Sequence, residues 1–233
     1  MKFDEINGDV KLNFKKKIQY IFINSLKLFQ FSFSKINNQH YKIKNYDYSL
    51  LENNTPTSNR YLQDHFIKNE LYKYLPKQID VLDIGCGKSE ICNYLQLSGF
   101  SGNYTGVDLR NYYEESYGQL NFNKDFIQKN IHDIEFKKKF DLIISNSSLE
   151  HIKDDKLILE KCKNLMNDNG FQIHLVPSRF SLFLYLFHGY RQYSVKDIEE
   201  RFGKNIKLFY LGGFFSFIYH LFFLTLTNII IKK

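Results

Sequence analysis

The sequence contains no tryptophan, only three prolines and only three cysteines. Cys86, Cys92 and Cys162 show neither a C-x-x-C pair nor zinc-ligand spacing, which excludes a disulfide-stapled secreted scaffold and a structural zinc module. No metal site is therefore expected. A secretory signal is also missing, because the first ten residues are charged and no apolar core runs into a small-residue cleavage site. The expectation is a reduced, cytoplasmic compartment. Acids are scarce in residues 1–45, where nine lysines face Asp4, Glu5 and Asp9, a net +6, while the rest of the chain contributes only +1. That segment also lacks arginine and the remainder lacks a basic stripe, which disfavours a nucleic-acid partner. From Leu208 to Ile231 there is no Lys, Arg, Asp or Glu. Phe214 to Ile231 approaches the shortest length that spans a bilayer. Ser216, His220, Thr225, Thr227 and Asn228 interrupt it, so the expectation is a buried helix followed by a last strand. Peripheral contact with an anionic membrane surface, on the inner face, is the alternative.

Glycine is placed more tellingly than it is counted. Val81-Leu82-Asp83-Ile84 reads as a buried strand with Asp83 near its carboxyl end. Gly85 and Gly87 turn the chain, and Ser89 is placed to cap a helix that carries Ile91, Tyr94 and Leu95 on one face. A strand, a glycine turn and a helix start in this order aim backbone N–H groups at a crevice beyond the sheet. A dinucleotide fingerprint needs a third glycine at position 90, and Glu90 stands there.

Three further segments follow the D-x-G-x-G of Asp83 to Gly87. Tyr104 to Arg110 reads as a strand ending in Asp108, about 20 residues beyond the loop, where a ribose-binding acid belongs. Phe126 to Ile131 is a strand running into Asn130, and Phe140 to Ile152 is a strand leading into Leu149-Glu150-His151-Ile152. Together these four resemble the class I S-adenosylmethionine-dependent methyltransferases, of the methyltransferase-domain, type 11-like kind. The resemblance implies an α/β fold: a Rossmann-like, doubly wound, mostly parallel sheet closed by an antiparallel strand pair.

It also implies S-adenosyl-L-methionine as cofactor, its methionine end on Asp83, Gly85, Cys86 and Gly87. Asp108 would meet the ribose, and Leu109 beside it is a further cofactor-binding candidate. Asn130 and Ile131 would meet the adenine, with Asp133 competing for the place of Asn130. Ser145 and Asn146 would border the methyl donor. His151 is the candidate catalytic base, and Glu150 is expected to stabilise the start of the next helix. His188, Tyr190, Arg191 and Tyr193 are the candidate acceptor-binding residues, with Arg191 suited to clamp a phosphate or carboxylate. Ser145-Asn146-Ser147-Ser148 is not the Asn-Pro-Pro-Tyr sequence of amide and base methylation, so a hydroxyl of a small molecule, sugar or lipid-linked acceptor fits better. An RNA methyltransferase using the lysine-rich arm, and an inactive nucleotide-binding scaffold, are the alternatives. Nothing in the sequence indicates the oligomeric state.

Three regions are expected: an arm and linker over 1–59, the cofactor-binding core over 60–212, and an apolar extension over 213–233. Leu12 to Phe33 has helical spacing, with Ile18, Phe22, Leu26, Phe29 and Phe33 on one face and Lys15, Lys16 and Lys17 at its start. That face suits packing on the core as a lid, or a membrane interface. Asn37 to Asn59 reads as polar and turn-rich, with 53–59 the linker. Tyr61 to Tyr74 reads as a helix. Strands are expected at 80–84, 103–108, 125–130, 140–145 and 170–178, with a sixth at 205–211. Helices are expected at 89–98, 113–119, 155–166 and 195–202, the last capped by Ser194, and Asn169-Gly170 is read as a turn.

Overall fold

A parallel strand covered on both faces must be apolar along its length, and Gln78–Ile84 (β2) meets that condition after its first residues: Val81, Leu82, Asp83 and Ile84 are all buried. In the computed structural model, which describes residues 6–29, 36–43, 45, 58–111, 121–213, 217–218 and 222, β2 is the central strand of a five-stranded parallel sheet. Its companions are β3 (Ser101–Asp108), β4 (Phe122–Gln128), β5 (Phe140–Asn146) and β6 (Met166–Leu175). The order is β4-β3-β2-β5-β6. The chain builds outward from β2 through β3 to β4, then returns to the other side of β2 with β5. The reversal puts a crevice at the carboxyl ends of β2 and β5, where open α/β sheets bind ligands.

The chain forms two compact units. One comprises Phe66–Leu149 and Asp154–Val176 and contains this sheet; the other comprises the described residues of Met1–His65, Glu150–Lys153 and Pro177–Lys233. In the sheet unit the core is made by Ile79, Val81, Leu82, Ile84, Tyr104, Val107, Leu142, Ile143 and Ile144. Two helices of the same unit, Glu90–Leu97 and Asp155–Leu165, bury Ile91, Tyr94 and Leu95, and Ile158, Leu159 and Cys162. Two expectations need correcting here. Ser89 precedes the first of these helices with a left-handed φ of 60° and makes no capping bond through its side chain. Asn169-Gly170 is no simple turn, because β6 already begins at Met166 and slips register between Phe140 and Leu142. Asp141 holds that irregularity, accepting from the Asp80 backbone at 2.8 Å and from Asn167 Nδ2 at 2.6 Å.

The other unit contains helix α1 (Phe14–Leu28), strand β1 (Asn37–His40), helix α5 (Val195–Phe202) and strand β7 (Lys207–Tyr210), numbering the helices in chain order with α2 at Ser58–Glu70, α3 at Glu90–Leu97 and α4 at Asp155–Leu165. Ser194 caps α5 as expected, in a reciprocal capping box with Asp197. The sixth strand forms but goes elsewhere: β7 pairs in parallel with β1, from Asn37 opposite Lys207 to His40 opposite Tyr210. No antiparallel strand joins the five-stranded sheet among the described residues.

The orientation of α1 departs from the lid expectation. The face turned inward carries Tyr20, Ile23, Asn24 and Lys27, while Phe14 (79% exposed), Ile18, Phe22 (62%), Leu26 and Phe29 (74%) face outward. Polar anchors explain this. Tyr20 donates to the His188 carbonyl at 2.7 Å, and Lys27 donates to the Gln192 carbonyl and lies 3.6 Å from Asp197. Tyr20 also packs with Leu12 and Leu182. The expected linker ends early, because Ser58 and Asn59 already lie in α2. The helix expected at 113–119, the 53–57 part of the linker, Phe33 and nearly all of 214–231 lie outside the described residues. Among the described residues no helix is long and apolar enough to cross a membrane.

Candidate functional site

Parallel strands bring all their carboxyl ends to one edge, and four of the expected site segments sit there. The loop after β2 is tied to β3 by Gly85 N–H and Cys86 N–H, which donate to the Val107 carbonyl at 2.8 and 3.1 Å. Gly85 holds a φ of 70°, and a methyl there would stand 2.4 Å from Ser148 Cβ. Ser148 in turn donates to the Ile84 carbonyl at 2.6 Å. Only glycine fits this crossing of the β2 and β5 loops. Gly87 differs in kind. It too is left-handed, at 52°, but among the described residues nothing lies within 4 Å of where its Cβ would be.

The main chain at Gly87 is thus bare on one side and braced on the other. Its N–H donates to Asp108 Oδ2 at 3.0 Å, and Arg110 N–H donates to Asp108 Oδ1 at the same distance. Lys129 N–H donates to the Asp108 carbonyl, and Gln128 Nε2 reaches the Leu109 carbonyl. These bonds join the ends of β2, β3 and β4 into one continuous edge. Each carboxylate oxygen of Asp108 has a lone pair to spare for a further donor.

Asp83 is buried behind the loop and accepts from the Tyr104 hydroxyl at 2.5 Å. Burial, reinforced by the negative charge of Asp83, drives the Tyr104 hydroxyl well above its ordinary pKa, so it remains a donor. Burial, with Asp83 nearby, pushes the Cys86 thiol up to about 12 and makes it a packing residue. Beyond β4, Asn130 is exposed and accepts from His132 N–H at 3.1 Å, while Ile131 is buried. Leu109 is exposed at the end of β3. At the end of β5, Asn146 is half-buried, but Ser145 is fully buried with its hydroxyl on His174 Nδ1 at 2.8 Å. The Ser145 side chain is engaged within the sheet. Burial lowers the His174 pKa to about 4.

The acceptor-side candidates belong to the other unit and divide in two. Arg191 and Tyr193 are buried. The Arg191 guanidinium donates to the carbonyls of Ile152 and Lys153 at 2.7 and 2.5 Å, so it braces the chain and does not stand open to an anion. Tyr190 is half-buried and donates its N–H to the Glu150 carbonyl at 2.7 Å. His151 and His188 instead meet each other, edge to face, with ring centroids 4.6 Å apart. His151 Nδ1 lies 2.6 Å from Asp9 Oδ2, and His188 Nδ1 lies 3.8 Å from Asp9 Oδ1. Their Nε2 atoms lie 3.9 and 3.7 Å from Glu150 Oε1, and Glu150 is 1% exposed. The neighbouring Glu150 carboxylate raises the His188 pKa despite burial. Burial alone would raise Asp9, but the Gly189 N–H and His151 more than offset it, and the carboxyl is lowered.

Sequence reasoning missed Asp9, which is 142 residues from His151 and carries no motif. It took Glu150 for a helix-start acid. The only signal for the pair was a charged side chain beside a histidine in Leu149-Glu150-His151-Ile152.

A family profile described as "Methyltransferase domain" matches residues 58–211. Among curated proteins, an N-methyltransferase 4 of Papaver somniferum is 32% identical over 111 residues, covering 43% of this chain and 31% of that protein. A ubiquinone biosynthesis O-methyltransferase of Glaesserella parasuis serovar 5 is 30% identical over 103 residues, covering 39% of this chain and 42% of that protein. The chain therefore matches less than half the length of these relatives. An S-adenosylmethionine-dependent methyltransferase of Clostridium acetobutylicum ATCC 824 shares the fold, with a TM-score of 0.51 at 17% identity over 66% of this chain and 82% of that one.

Proposed function

Because this chain belongs to the methyltransferase-domain family, we propose that it transfers the methyl group of S-adenosyl-L-methionine to a hydroxyl of an amphiphilic small-molecule or lipid-linked acceptor. One observation carries the cofactor half of this reading. Gly87 presents bare main chain where a Cβ would have projected, and its N–H is bonded to an Asp108 carboxylate with capacity for two more donors. These residues suit a ligand with a ribose, an amino-acid end and a nearby positive charge.

In this reading Asp108 accepts from the ribose hydroxyls, and the loop from Gly85 to Gly87 lies along the amino-acid end. Asp83, held by Tyr104, supplies negative charge behind that loop for the ammonium. Asn130 and the Ile131 N–H meet the adenine ring, and Asn146 borders the reacting end. When bound, the cofactor supplies a methyl group already activated toward displacement. The chain then has to align the acceptor, exclude water and dispose of a proton.

The outward apolar stripe of α1 supports the amphiphilic acceptor. Phe14, Ile18, Phe22, Leu26 and Phe29 are exposed along one face, with Lys15, Lys16 and Lys17 exposed at the helix start. The neighbouring turn at Arg179–Phe183 packs against α1 and exposes Phe180 and Phe183. Aromatic and aliphatic side chains beside lysines are the composition of a helix that lies in an anionic lipid interface. The relatives' names span nitrogen and oxygen acceptors, and the Ser145 to Ser148 sequence favours oxygen here. Incubation with methyl-labelled cofactor and fractionated cell extract tests the acceptor. Label is expected in a lipid or small-molecule fraction as a base-stable methyl ether, and a base-labile methyl ester would place the acceptor on a carboxyl instead of a hydroxyl. Label confined to RNA or protein would overturn the reading.

A further inference from the structure

The cluster around His151 and His188 is built by close backbone approaches. Gly8 N–H donates to the Gly189 carbonyl at 2.7 Å, and Gly189 N–H donates to Asp9 Oδ1 at 3.0 Å. A methyl at Gly8 would stand 2.4 Å from the Phe187 carbonyl carbon, and one at Gly189 would stand 2.6 Å from the Glu150 carbonyl oxygen. Tyr190 N–H donates to that same carbonyl. Segments 8–9, 150–151 and 188–190 are thereby clasped together.

The clasp leaves two imidazoles between two carboxylates. On one side, one ligand atom each from Asp9, His151 and His188 lie within 4.8 Å of one another. On the other side, the buried Glu150 faces both remaining ring nitrogens through Oε1, and its Oε2 has no hydrogen-bond partner among the described residues. A buried carboxylate lacking partners is costly unless neighbouring cations or donors compensate it. A cation held by the two rings would do so, because each ring would then carry its proton on the nitrogen that faces Glu150.

We propose that Asp9, His151 and His188 bind a divalent transition ion of the zinc type, with Glu150 accepting from both imidazoles and orienting them. Imidazole and carboxylate ligands sit about 2.0–2.2 Å from zinc, which places neighbouring ligand atoms about 3.3 Å apart in a tetrahedron. Asp9 Oδ2 lies 2.6 Å from His151 Nδ1 and Asp9 Oδ1 lies 3.8 Å from His188 Nδ1, one ligand atom from each of the three residues falls within 4.8 Å of the others, and the side chains keep enough exposed surface to close on an ion. Carboxylate–histidine–metal chains of this type fix the tautomer and raise ligand basicity. Three protein ligands leave a coordination position for water or an oxygen of another molecule. His151 is then a ligand, and the free-base role suggested by its segment does not apply. The inference rests on this unit alone and not on the cofactor reading.

The test uses the full chain, stripped with a chelator and dialysed, titrated with Zn2+ by calorimetry at neutral pH. One equivalent is expected to bind. Asp9→Asn and His188→Gln are each expected to weaken binding at least about 100-fold, and Glu150→Gln by about 10- to 100-fold. Circular dichroism reports whether each variant folds. Co2+ loading of the wild-type chain gives a readout that needs no variant: visible ligand-field bands that Zn2+ abolishes, and two shifted exchangeable imidazole proton resonances. A wild-type chain that takes up no stoichiometric Zn2+, a folded Asp9→Asn that binds as tightly as wild type, or a Co2+ form without those two resonances would each overturn the proposal. Calorimetry with S-adenosylhomocysteine on the same samples reports the cofactor site separately.

Discussion

Two glycines in one loop are predicted to fail in different ways when each is replaced by alanine. Both are left-handed, at φ 70° for Gly85 and 52° for Gly87, and a non-glycine residue there costs roughly 1–2 kcal/mol. Alanine recovers part of this, about 0.4–1 kcal/mol, by restricting the unfolded chain. At Gly87 no other term arises, because no atom of the described residues lies within 4 Å of the new methyl. The Gly87→Ala chain should therefore lose only about 1 kcal/mol and melt within a few degrees of wild type.

At Gly85 the methyl would stand 2.4 Å from Ser148 Cβ, an atom anchored directly to backbone. The loops of β2 and β5 must separate, adding the roughly 1–3 kcal/mol of an overpacked site. Binding should reverse the ranking relative to stability. The Gly87 methyl projects into the space assigned to the cofactor, and a displacement that removes about 1.5–3 kcal/mol of contact weakens it about 10- to 150-fold. Calorimetric titration with S-adenosylhomocysteine, beside thermal melts, separates the two effects. A Gly87→Ala chain that folds normally and binds S-adenosylhomocysteine as tightly as wild type would refute the assignment of the loop.

Asp108→Ala removes the acceptor for Gly87 N–H together with two proposed ribose contacts; at roughly 1.5–3 kcal/mol each for charge-assisted bonds, S-adenosylhomocysteine affinity should fall at least 100-fold. An unchanged affinity in a folded variant would remove Asp108 from the site. The His174 pKa is lowered to about 4 by burial, so the unfolded chain takes up a proton near pH 6.5 that the folded chain refuses. The associated stability is complete above pH 6.5 and is lost as pH falls toward 4, by up to about 3 kcal/mol and less in proportion to the part of His174 that stays open to solvent. Urea denaturation across that range should show the slope in wild type and a flatter one in His174→Gln; identical slopes would contradict it. Ile18→Glu combined with Phe22→Glu alters only exposed positions of α1, so stability should move by about 0.5 kcal/mol or less per site. Flotation with vesicles containing anionic lipid should be lost in this variant and weakened by salt in wild type. Wild-type chain that stays with the dense fraction would dispose of the membrane reading.

Five strands and the loop that follows the first of them were legible because their causes are local. A doubly covered parallel strand must be apolar throughout, as in Leu142-Ile143-Ile144, and a left-handed turn against Ser148 admits only glycine at Gly85. Ser194 as N-cap made the start of α5 equally plain. The orientation of α1 was not legible. Its periodicity marks an apolar face, yet the inward face is chosen by Tyr20, Asn24 and Lys27, whose bonds go to residues more than 160 positions away. β1 reads as polar loop because its residues are Asn37-Asn38-Gln39-His40; it is a strand only because β7 lies beside it. Asp9 is one acid in a lysine-rich arm until the Gly8–Gly189 contact delivers it to the histidines.

The linear chain thus determined which segments become the sheet and where main chain is exposed at its edge, since backbone conformation and burial act over a few residues. Folding alone decided which surface α1 turns outward and which carboxylates flank His151 and His188. Those outcomes depend on partners that sequence separation hides and that only three-dimensional closure brings within hydrogen-bonding range.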